Sequence, residues 1–440
     1  MTELSKILRD GGVVGAGGAG FPSYAKLNKA ADTIILNCAE CEPLLKLHRQ
    51  VLQLHAEEIT FALDTIAKAV EADRVIIAIK PNYKEAIAEI NKCLPKYKNM
   101  SIGLLPEIYP AGDEVITIYE TTGRVVPPGS IPISVGVTVF NVETALNAAR
   151  MLNQSKPVTY KYITIAGEVK NPVTLKAPLG ITYGELIELA GGATVENPVL
   201  IAGGPMTGNI CYASDVVTKT SNAVLVMPEH QYIVQKRITP VGINMKRAMS
   251  VCCQCRMCTD LCSRNLLGHP IDPALFMRAC TSGITSQADP YINSFYCSSC
   301  GLCELYSCGQ NLNPRTLLGL TKAQLRQSGI KPPADIELKE VNKQREFRTV
   351  PMSHLISRLG LRKYDVPAPI DETLVKADNV KIMLSQSIGA ASVPCVKVGD
   401  VVCVGELVGN APEKLGVPVH SSIDGVVTQV TDKFVAIKAQ

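Results

Sequence analysis

The chain is short of charge and has no long apolar run. Asp, Glu, Lys and Arg make up 19% of its 440 residues, below the roughly 25% of an average globular domain. The net charge is only +4. No concentrated basic run stands out, which argues against nucleic acid as the main partner, because phosphate binding needs such a surface. No stretch approaches the ~18 consecutive apolar residues of a membrane-spanning helix, so no membrane span is expected. The first residues, MTELSKILRDGG, mix charge with apolar side chains and lack the continuous apolar core of an export signal. A cytoplasmic protein is therefore expected. An apolar fraction of 46% suffices for several packed cores, and the length suggests about three domains.

Cysteine, by contrast, is abundant. Sixteen cysteines without an export signal favour metal ligation over disulfides. Two dense runs hold most of them. CCQCRMCTDLC has Cys252, Cys255, Cys258 and Cys262 in a C-x2-C-x2-C-x3-C spacing, with Cys253 out of register. CSSCGLCELYSC has Cys297, Cys300, Cys303 and Cys308 in a C-x2-C-x2-C-x4-C spacing. Three closely spaced thiolates can hold three corners of a cubane, and in two-cluster ferredoxins the fourth ligand comes from the other run. That rule assigns Cys252, Cys255, Cys258 and Cys308 to one 4Fe–4S cluster, and Cys297, Cys300, Cys303 and Cys262 to the other. Structural zinc would need two C-x2-C pairs instead of two triplets with a trailing cysteine. The runs depart from a small ferredoxin. Ser263 and Gly309 stand where proline often follows the fourth cysteine, and the linker between the runs is long, with PALFMRAC reading as a helix. A helical ferredoxin-type module is expected. Cys280 on that helix reads as a small buried hydrophobe.

Clusters pass one electron at a time, so a two-electron converter, usually a flavin, is expected upstream. The segment GGVVGAGGAGFPSYAK is the candidate: Gly15, Gly17, Gly18 and Gly20 let the backbone approach a phosphate and present its N–H groups. Alone this is a weak signal, without Walker spacing or a full dinucleotide fingerprint. The next segment, DTIILNCAECEPLLK, has a buried-strand run, Thr33 to Leu36, ending in a polar turn with Asn37, Glu40 and Glu42. YPAGDEVITIYETTGR and VGVTVFNVETALNAAR each place polar residues before a helical pattern. Cys38 and Cys41 form a C-x2-C without thioredoxin-type context, so packing beside the cofactor is the default.

These four blocks resemble the FMN- and NADH-binding subunit of respiratory complex I and the RnfC component of the Rnf complex. The resemblance implies that Gly15, Gly17, Gly18 and Gly20 form the phosphate loop and that Phe21 and Lys26 lie near nicotinamide and flavin. It implies that Asn37, Glu40 and Glu42 form the cofactor turn, and that Gly112, Asp113, Glu114 and Asn141 complete the site. Lys26, Glu42 and Glu114 take the catalytic positions beside nicotinamide and flavin. Ala16 replaces an arginine of complex I, Ala39 an acid, and Phe140 the first asparagine of its N-N-V-E-T block.

Four more readings complete the organisation. YITIAGEVKNPVTLKAPLGITYGELIELAGG alternates over Tyr162–Ile165, turns at Asn171–Pro172 and continues as a helix from Tyr183 to Ala190. It resembles the SLBB β-grasp module, read as a spacer. Residues 331–377, charged and proline-spaced, read as a linker with a short helix Ser353–Leu359. From Lys381 short strands, with turns at Gly399–Asp400 and Asp424–Gly425, match a barrel-sandwich hybrid without the lysine hairpin of biotinyl carriers, so no attached group is expected. His420 there reads as a packed surface residue. Leu4, Ile7 and Leu8 fall at helical spacing and read as packing on the flavin domain more readily than as a targeting helix.

The expected fold is thus multidomain α/β + β: a Rossmann-like FMN/NADH-binding domain (1–155), the SLBB β-grasp (156–232), the two-cluster helical ferredoxin-type domain (233–330), the linker (331–377) and the barrel-sandwich hybrid (378–440). RnfC proteins carry the barrel first; here it comes last. That order, with GVVGAGGAGFP, AECEPLLK, YPAGDEV, CRMCTDLC and VPVHSSIDG, resembles the cobalamin reductases of propanediol-utilisation microcompartments. The resemblance implies FMN, two 4Fe–4S clusters, NADH as substrate, and cobalamin held by a partner corrinoid adenosyltransferase. It also implies residence in or near a bacterial microcompartment, with a shell protein as a further partner. Two alternatives stay open: an RnfC-like conduit delivering electrons to ferredoxin or another reductase, and a scaffold whose flavin site is inactive. No segment reads as a corrin-binding motif. Arg256, inside the first run, would favour a reduced cluster by adding positive charge.

Overall fold

A computed structural model describes residues 2–333 and 336–440. The apolar runs TIILN, RVIIAI, MSIGL and VTVFN form the strands Thr33–Asn37, Arg74–Ile79, Met100–Leu104 and Val137–Asn141. The Thr33–Asn37 strand is flanked by Arg74–Ile79 and Val137–Asn141, all parallel, with Met100–Leu104 outermost. Strands buried on both faces read as continuous apolar runs because helices cover each side. The covering helices include Ala56–Val70, Lys84–Cys93, Glu114–Thr122 and Val142–Gln154. The sequence order of the strands reverses at Thr33–Asn37. In such sheets the crevice at the carboxyl ends of the two strands flanking that reversal is where ligands bind. Asn37 and Asn141 end those strands and lie in register with one another. The N-terminal helix Glu3–Asp10 packs Leu4 and Leu8 into this domain's core.

A mixed six-stranded sheet follows. Its strands run in the order Ile370–Leu374, Val173–Pro178, Tyr160–Gly167, Ala223–Met227, Val199–Ala202 and Asn209–Cys211. The helix Tyr183–Leu189 accompanies it, with Thr182 and Glu185 forming a reciprocal capping box. The edge strand Ile370–Leu374 comes from the segment expected to be a linker. Val350–Pro351 from the same segment pairs with Ile108–Tyr109 in the flavin domain. Residues 331–377 therefore contain structural elements that strap the domains together, and their short helix is Met352–Arg358. The sequence showed only proline and charge there, because isolated two-to-five-residue edge strands carry no periodic signal of their own.

The cysteine runs sit among short helices, including Val241–Val251, Met257–Asp260, Pro273–Thr281 and Pro314–Gln327. Two small antiparallel sheets close the chain. One pairs Asn379–Met383, Phe434–Ala439, Gly425–Val430 and Val401–Val402; the other pairs Val393–Pro394, Leu407–Asn410 and Val419–His420. Among the described residues no helix is long and apolar enough to cross a membrane.

The β-grasp, the glycine loop and the C-terminal barrel meet at Lys219. It is fully buried, and its Nζ donates to the carbonyls of Gly12 (2.8 Å) and Pro418 (3.0 Å). Burial pulls its pKa down to about 7. His420 beside it is buried, not on the surface as the sequence suggested, and its Nδ1 has no hydrogen-bond partner among the described residues. Burial, reinforced by the charge of Lys219, pulls the imidazole pKa down to about 3. The unfolded chain takes up this proton as pH falls through about 6.5, whereas the folded chain resists until about pH 3. Stability contributed by neutral His420 is thus complete above about 6.5 and lost below it, at about 1.4 kcal/mol per pH unit. Thermal unfolding followed from pH 7 to 5 is expected to fall less steeply in His420→Asn than in the parent chain. Parallel slopes would remove His420 from the acid response.

Candidate functional site

A cavity of about 500 Å³ opens at the reversal point of the parallel sheet, within the ~300–1,000 Å³ typical of small-molecule sites. Gly15, Gly17, Gly18, Gly20, Phe21, Lys26, Asn37, Gly112, Glu114 and Asn141 line it. Two glycines are required by close approach. A Cβ on Gly17 would lie 2.4 Å from Asn141 Nδ2, and a Cβ on Gly20, whose φ is +74°, would meet Ser387 and Thr220. Gly18 faces open space. Lys26 donates from Nζ to the Val139 carbonyl at 2.8 Å and lies 3.7 Å from Glu114. Asn37 Nδ2 donates to the Gly112 carbonyl at 2.8 Å, which ties the strand end to the Gly112–Glu114 turn.

Three expected residues lie outside the cavity. Glu40 is buried, accepts the His48 backbone N–H at 2.7 Å and faces His48 Nδ1 at 3.3 Å. Burial pushes its carboxyl up, but His48 outweighs this and holds it below the usual range. His48 Nε2 in turn accepts from Asn141 Nδ2 at 3.0 Å. Glu40 thus acts on the cavity only through His48 and Asn141. Glu42 is the larger departure. Its carboxylate accepts the backbone N–H groups of Met206 (2.7 Å) and Thr207 (2.9 Å), and the Thr207 hydroxyl. It fastens the β-grasp domain to the flavin domain, and a Cβ on Gly204 would collide with it. Its side chain does not line the glycine-loop cavity. Asp113 caps the helix Glu114–Thr122 through Val115 N–H and forms a two-atom ion pair with Arg264.

Sequence reasoning missed two kinds of lining residue. Thr144 accepts the Ala16 N–H at 2.8 Å and holds the glycine loop; it belongs to the same N-V-E-T block as Asn141, which was the available signal. Ile388 comes from the C-terminal barrel, and its backbone N–H donates to the Gly20 carbonyl at 3.1 Å. No local pattern marks a contact between segments so distant in sequence.

The cysteines gather around two hollows. Cys252, Cys253, Cys255, Cys258 and Cys308 line one; Cys262, Cys297, Cys300 and Cys303 line the other. Each hollow thus draws cysteines from both runs, as the crossed arrangement requires, and the first also holds Cys253. The same backbone wraps both: Gln254 and Arg256 in the first run, and Ser299 and Gly301 in the second, all have positive φ. Three of these are not glycine, a strained choice that persists only where surroundings impose it, as at ligand-holding loops. Burial, with neighbouring thiols adding to it, pushes Cys258 up to about 12, and burial pushes Cys300 up to about 11. Such thiols ionise only when a metal displaces the proton. Among the described residues no three ligating side chains converge as for a single ion; each four-thiol set instead surrounds a hollow, which fits a cluster. Cys280 lies by Met245 and lines neither hollow. Replacing Cys253, which is out of register with the C-x2-C spacing, with serine is expected to leave iron content unchanged, whereas Cys255→Ser should lose one cluster. Equal iron loss in both would mean a different register.

The second hollow is the one next to the flavin domain. Arg264, which lines it, holds Asp113, between the cavity residues Gly112 and Glu114. Tyr109 donates its hydroxyl to the Cys300 carbonyl at 2.6 Å. The core that packs against Cys252 and Cys308 of the other hollow contains Ala248, Phe276, Met277 and Leu312; it also touches Cys262 and Cys297 and, among the described residues, includes none of 1–155.

Four family models match the chain in sequence. They are the Nuo51 FMN-binding domain over residues 8–150, the SLBB domain over 162–209, the 4Fe-4S dicluster domain over 251–313 and the RnfC barrel sandwich hybrid domain over 362–440. Cobalamin reductase PduS of Citrobacter freundii is 39% identical over 98% of this chain and 95% of its own length. The protein of that name from Salmonella typhimurium is 38% identical over 99% and 96%. The RnfC-type component of the Na(+)-translocating ferredoxin:NAD(+) oxidoreductase complex of Acetobacterium woodii is 31% identical over 60% of this chain and 58% of its own. A glycine-lined cavity at a sheet's reversal point, two crossed sets of four thiols and a near full-length match place the chain in the PduS family of FMN- and iron–sulfur-dependent electron-transfer oxidoreductases.

Proposed function

We propose that the chain takes electrons from NADH and delivers them singly to a corrinoid, acting as a cobalamin reductase. The observation that carries this is the Gly112–Asp113–Glu114 turn: its outer residues line the flavin cavity, and its centre grips Arg264 at the hollow of Cys262, Cys297, Cys300 and Cys303. Bound FMN would exchange a two-electron hydride for single electrons, and the clusters would carry them on. The chain supplies placement. Gly15, Gly17, Gly18 and Gly20 present backbone to a phosphate. Asn37 and Asn141 stand at the strand ends, Asn141 oriented by His48 and Glu40. Lys26 and Glu114 place opposite charges 3.7 Å apart in the cavity, where a flavin ring and a nicotinamide would meet.

The acceptor side rests on the relatives named cobalamin reductase. A corrinoid held by a partner adenosyltransferase is the proposed terminal acceptor, within or beside a bacterial microcompartment whose shell proteins are further partners. A second reading is favoured by the Acetobacterium relative: delivery to ferredoxin. The test is anaerobic stopped-flow absorbance with NADH, with free corrinoid, partner-bound corrinoid or ferredoxin as acceptor. NADH is expected to bleach the flavin and then the clusters. Corrinoid reduction should be slow when free and faster on the partner. Efficient reduction of ferredoxin, with none of corrinoid even on the partner, would replace the first reading by the second.

A further inference from the structure

The cluster-bearing module is electrically unlike the rest of the chain. Residues 230–333 contain eleven Lys and Arg against four Asp and Glu, an excess of seven positive charges, although the whole chain carries only +4. The remainder is therefore net acidic. No Asp or Glu occurs in 230–259 or in 305–333, the two stretches that supply the cysteines of the outer hollow. Three of the four acids present are already engaged: Glu304 is buried against Arg315 and Thr316, Asp260 pairs with Arg348, and Asp272 accepts from Thr259 and faces Arg256.

The helix that leads into that hollow, ending at Cys252, and the turn after it also expose apolar side chains. Val241, Ile243, Met249, Val251 and Met257 are between 42% and 62% exposed. They lie on the helix Val241–Val251 and on the turn that carries Cys252, Cys255 and Cys258. Cys255 is itself exposed. Lys246 and Arg247 are exposed on the same helix, and among the described residues neither has an ion-pair partner. Arg256 is 63% exposed and only 3.7 Å from Asp272. Apolar side chains fringed by cations, above a redox centre near the surface, are what a transient electron-transfer contact requires: charge steers encounter, and a small apolar core holds the pair briefly.

We propose that the helix Val241–Val251 and the turn at 252–257 form the electron exit, and that its occupant is an electron-accepting protein with an acidic docking surface. In the transfer, one electron leaves the outer cluster, which is oxidised by one, and reduces the partner's centre by one; no bond forms or breaks. Cys262, Cys297, Cys300 and Cys303 would hold the cluster that receives electrons from the flavin side, and Cys252, Cys255, Cys258 and Cys308 the one that would pass them out. The inference deepens the proposed function and rests on it for the source of electrons.

The test uses full-length, cluster-loaded protein and an acidic ferredoxin as probe. Electrons are supplied by photoreduction, so that a failure of NADH to reduce the flavin would overturn the proposed function without touching this one. The double variant Lys246→Glu, Arg247→Glu is expected to slow ferredoxin reduction about tenfold or more at low salt. The difference should close near 0.5 M salt, where the Debye length is roughly 4 Å. Binding of oxidised ferredoxin, read by biolayer interferometry without turnover, should weaken by a similar factor. Iron content and the rate of a small uncharged dye acceptor should stay unchanged. Equal ferredoxin rates at low salt would overturn the proposal. So would a deficit that persists at high salt, or a parent chain that runs as a dimer while the variant runs as a monomer, since the face would then belong to a second copy.

Discussion

Replacement of Cys300 by alanine is expected to stop electron delivery to any protein acceptor while flavin reduction by NADH persists. Cys300 sits at the seam of the two domains. Its carbonyl accepts from Tyr109 of the flavin domain, and its thiol is one of the four around the inner hollow. The inner hollow lies beside the turn that lines the flavin cavity, whereas the core that packs against Cys252 and Cys308 of the outer one includes, among the described residues, none of the flavin domain. Loss of the inner cluster is therefore expected to interrupt delivery to the outer one. The measurement is a pair of anaerobic traces on one preparation, flavin bleaching by NADH and reduction of a protein acceptor, with flavin content as the check on folding. Cys255→Ala is the informative counterpart. It should also lose delivery to proteins, but with the inner cluster retained and still reduced by NADH. If Cys300→Ala still delivers electrons at the parent rate, the inner hollow is not on the path.

The second large effect concerns stability. Lys161 and Glu143 are almost completely buried and joined to one another. Glu143 also accepts the Tyr162 N–H at 3.1 Å, and Lys161 donates to Asn222 at 3.0 Å. Glu143 opens the helix that follows Asn141, and Lys161 lies on the first long strand of the β-grasp, so the pair joins two domains behind the cavity. Lys161→Met would leave a carboxylate buried without its counter-charge, a change that costs about 3–5 kcal/mol. The expected outcome is a thermal transition several degrees lower and weakened flavin retention. Adding Glu143→Gln should recover much of the loss, because the uncompensated charge is then gone. A double variant as unstable as the single one would assign the effect to packing instead.

What was legible in the sequence follows from where each signal is stored. The cluster ligands are local: three thiols at x2 spacing can wrap one metal core whatever surrounds them, and the exchange of fourth ligands is the rule of two-cluster ferredoxins. All eight stand around two hollows in that arrangement. The glycine loop and the buried parallel strands were legible for the same reason, since close backbone approach and two-sided burial each leave a compositional mark.

Roles set by a partner across a domain boundary left no such mark. The N-x-x-E-x-E turn holds three polar residues in a row of six, yet Asn37 lines the cavity, Glu40 turns inward to His48, and Glu42 turns away to Met206 and Thr207. Their spacing is compatible with any of these, and only the neighbours packed against each side chain choose between them. The segment 331–377 became a strap because its short strands find edges on other sheets, at Ile108–Tyr109 and at Val173–Pro178. His420, polar and lone, became buried because Lys219 and the glycine loop close over it. Spacing alone marked which thiols are candidates to hold metal and which loop is a candidate to approach a phosphate. Tertiary packing decided which cluster stands next to the flavin cavity and which acids stay out of it, because those depend on contacts between segments a hundred or more residues apart, as between Asp113 and Arg264.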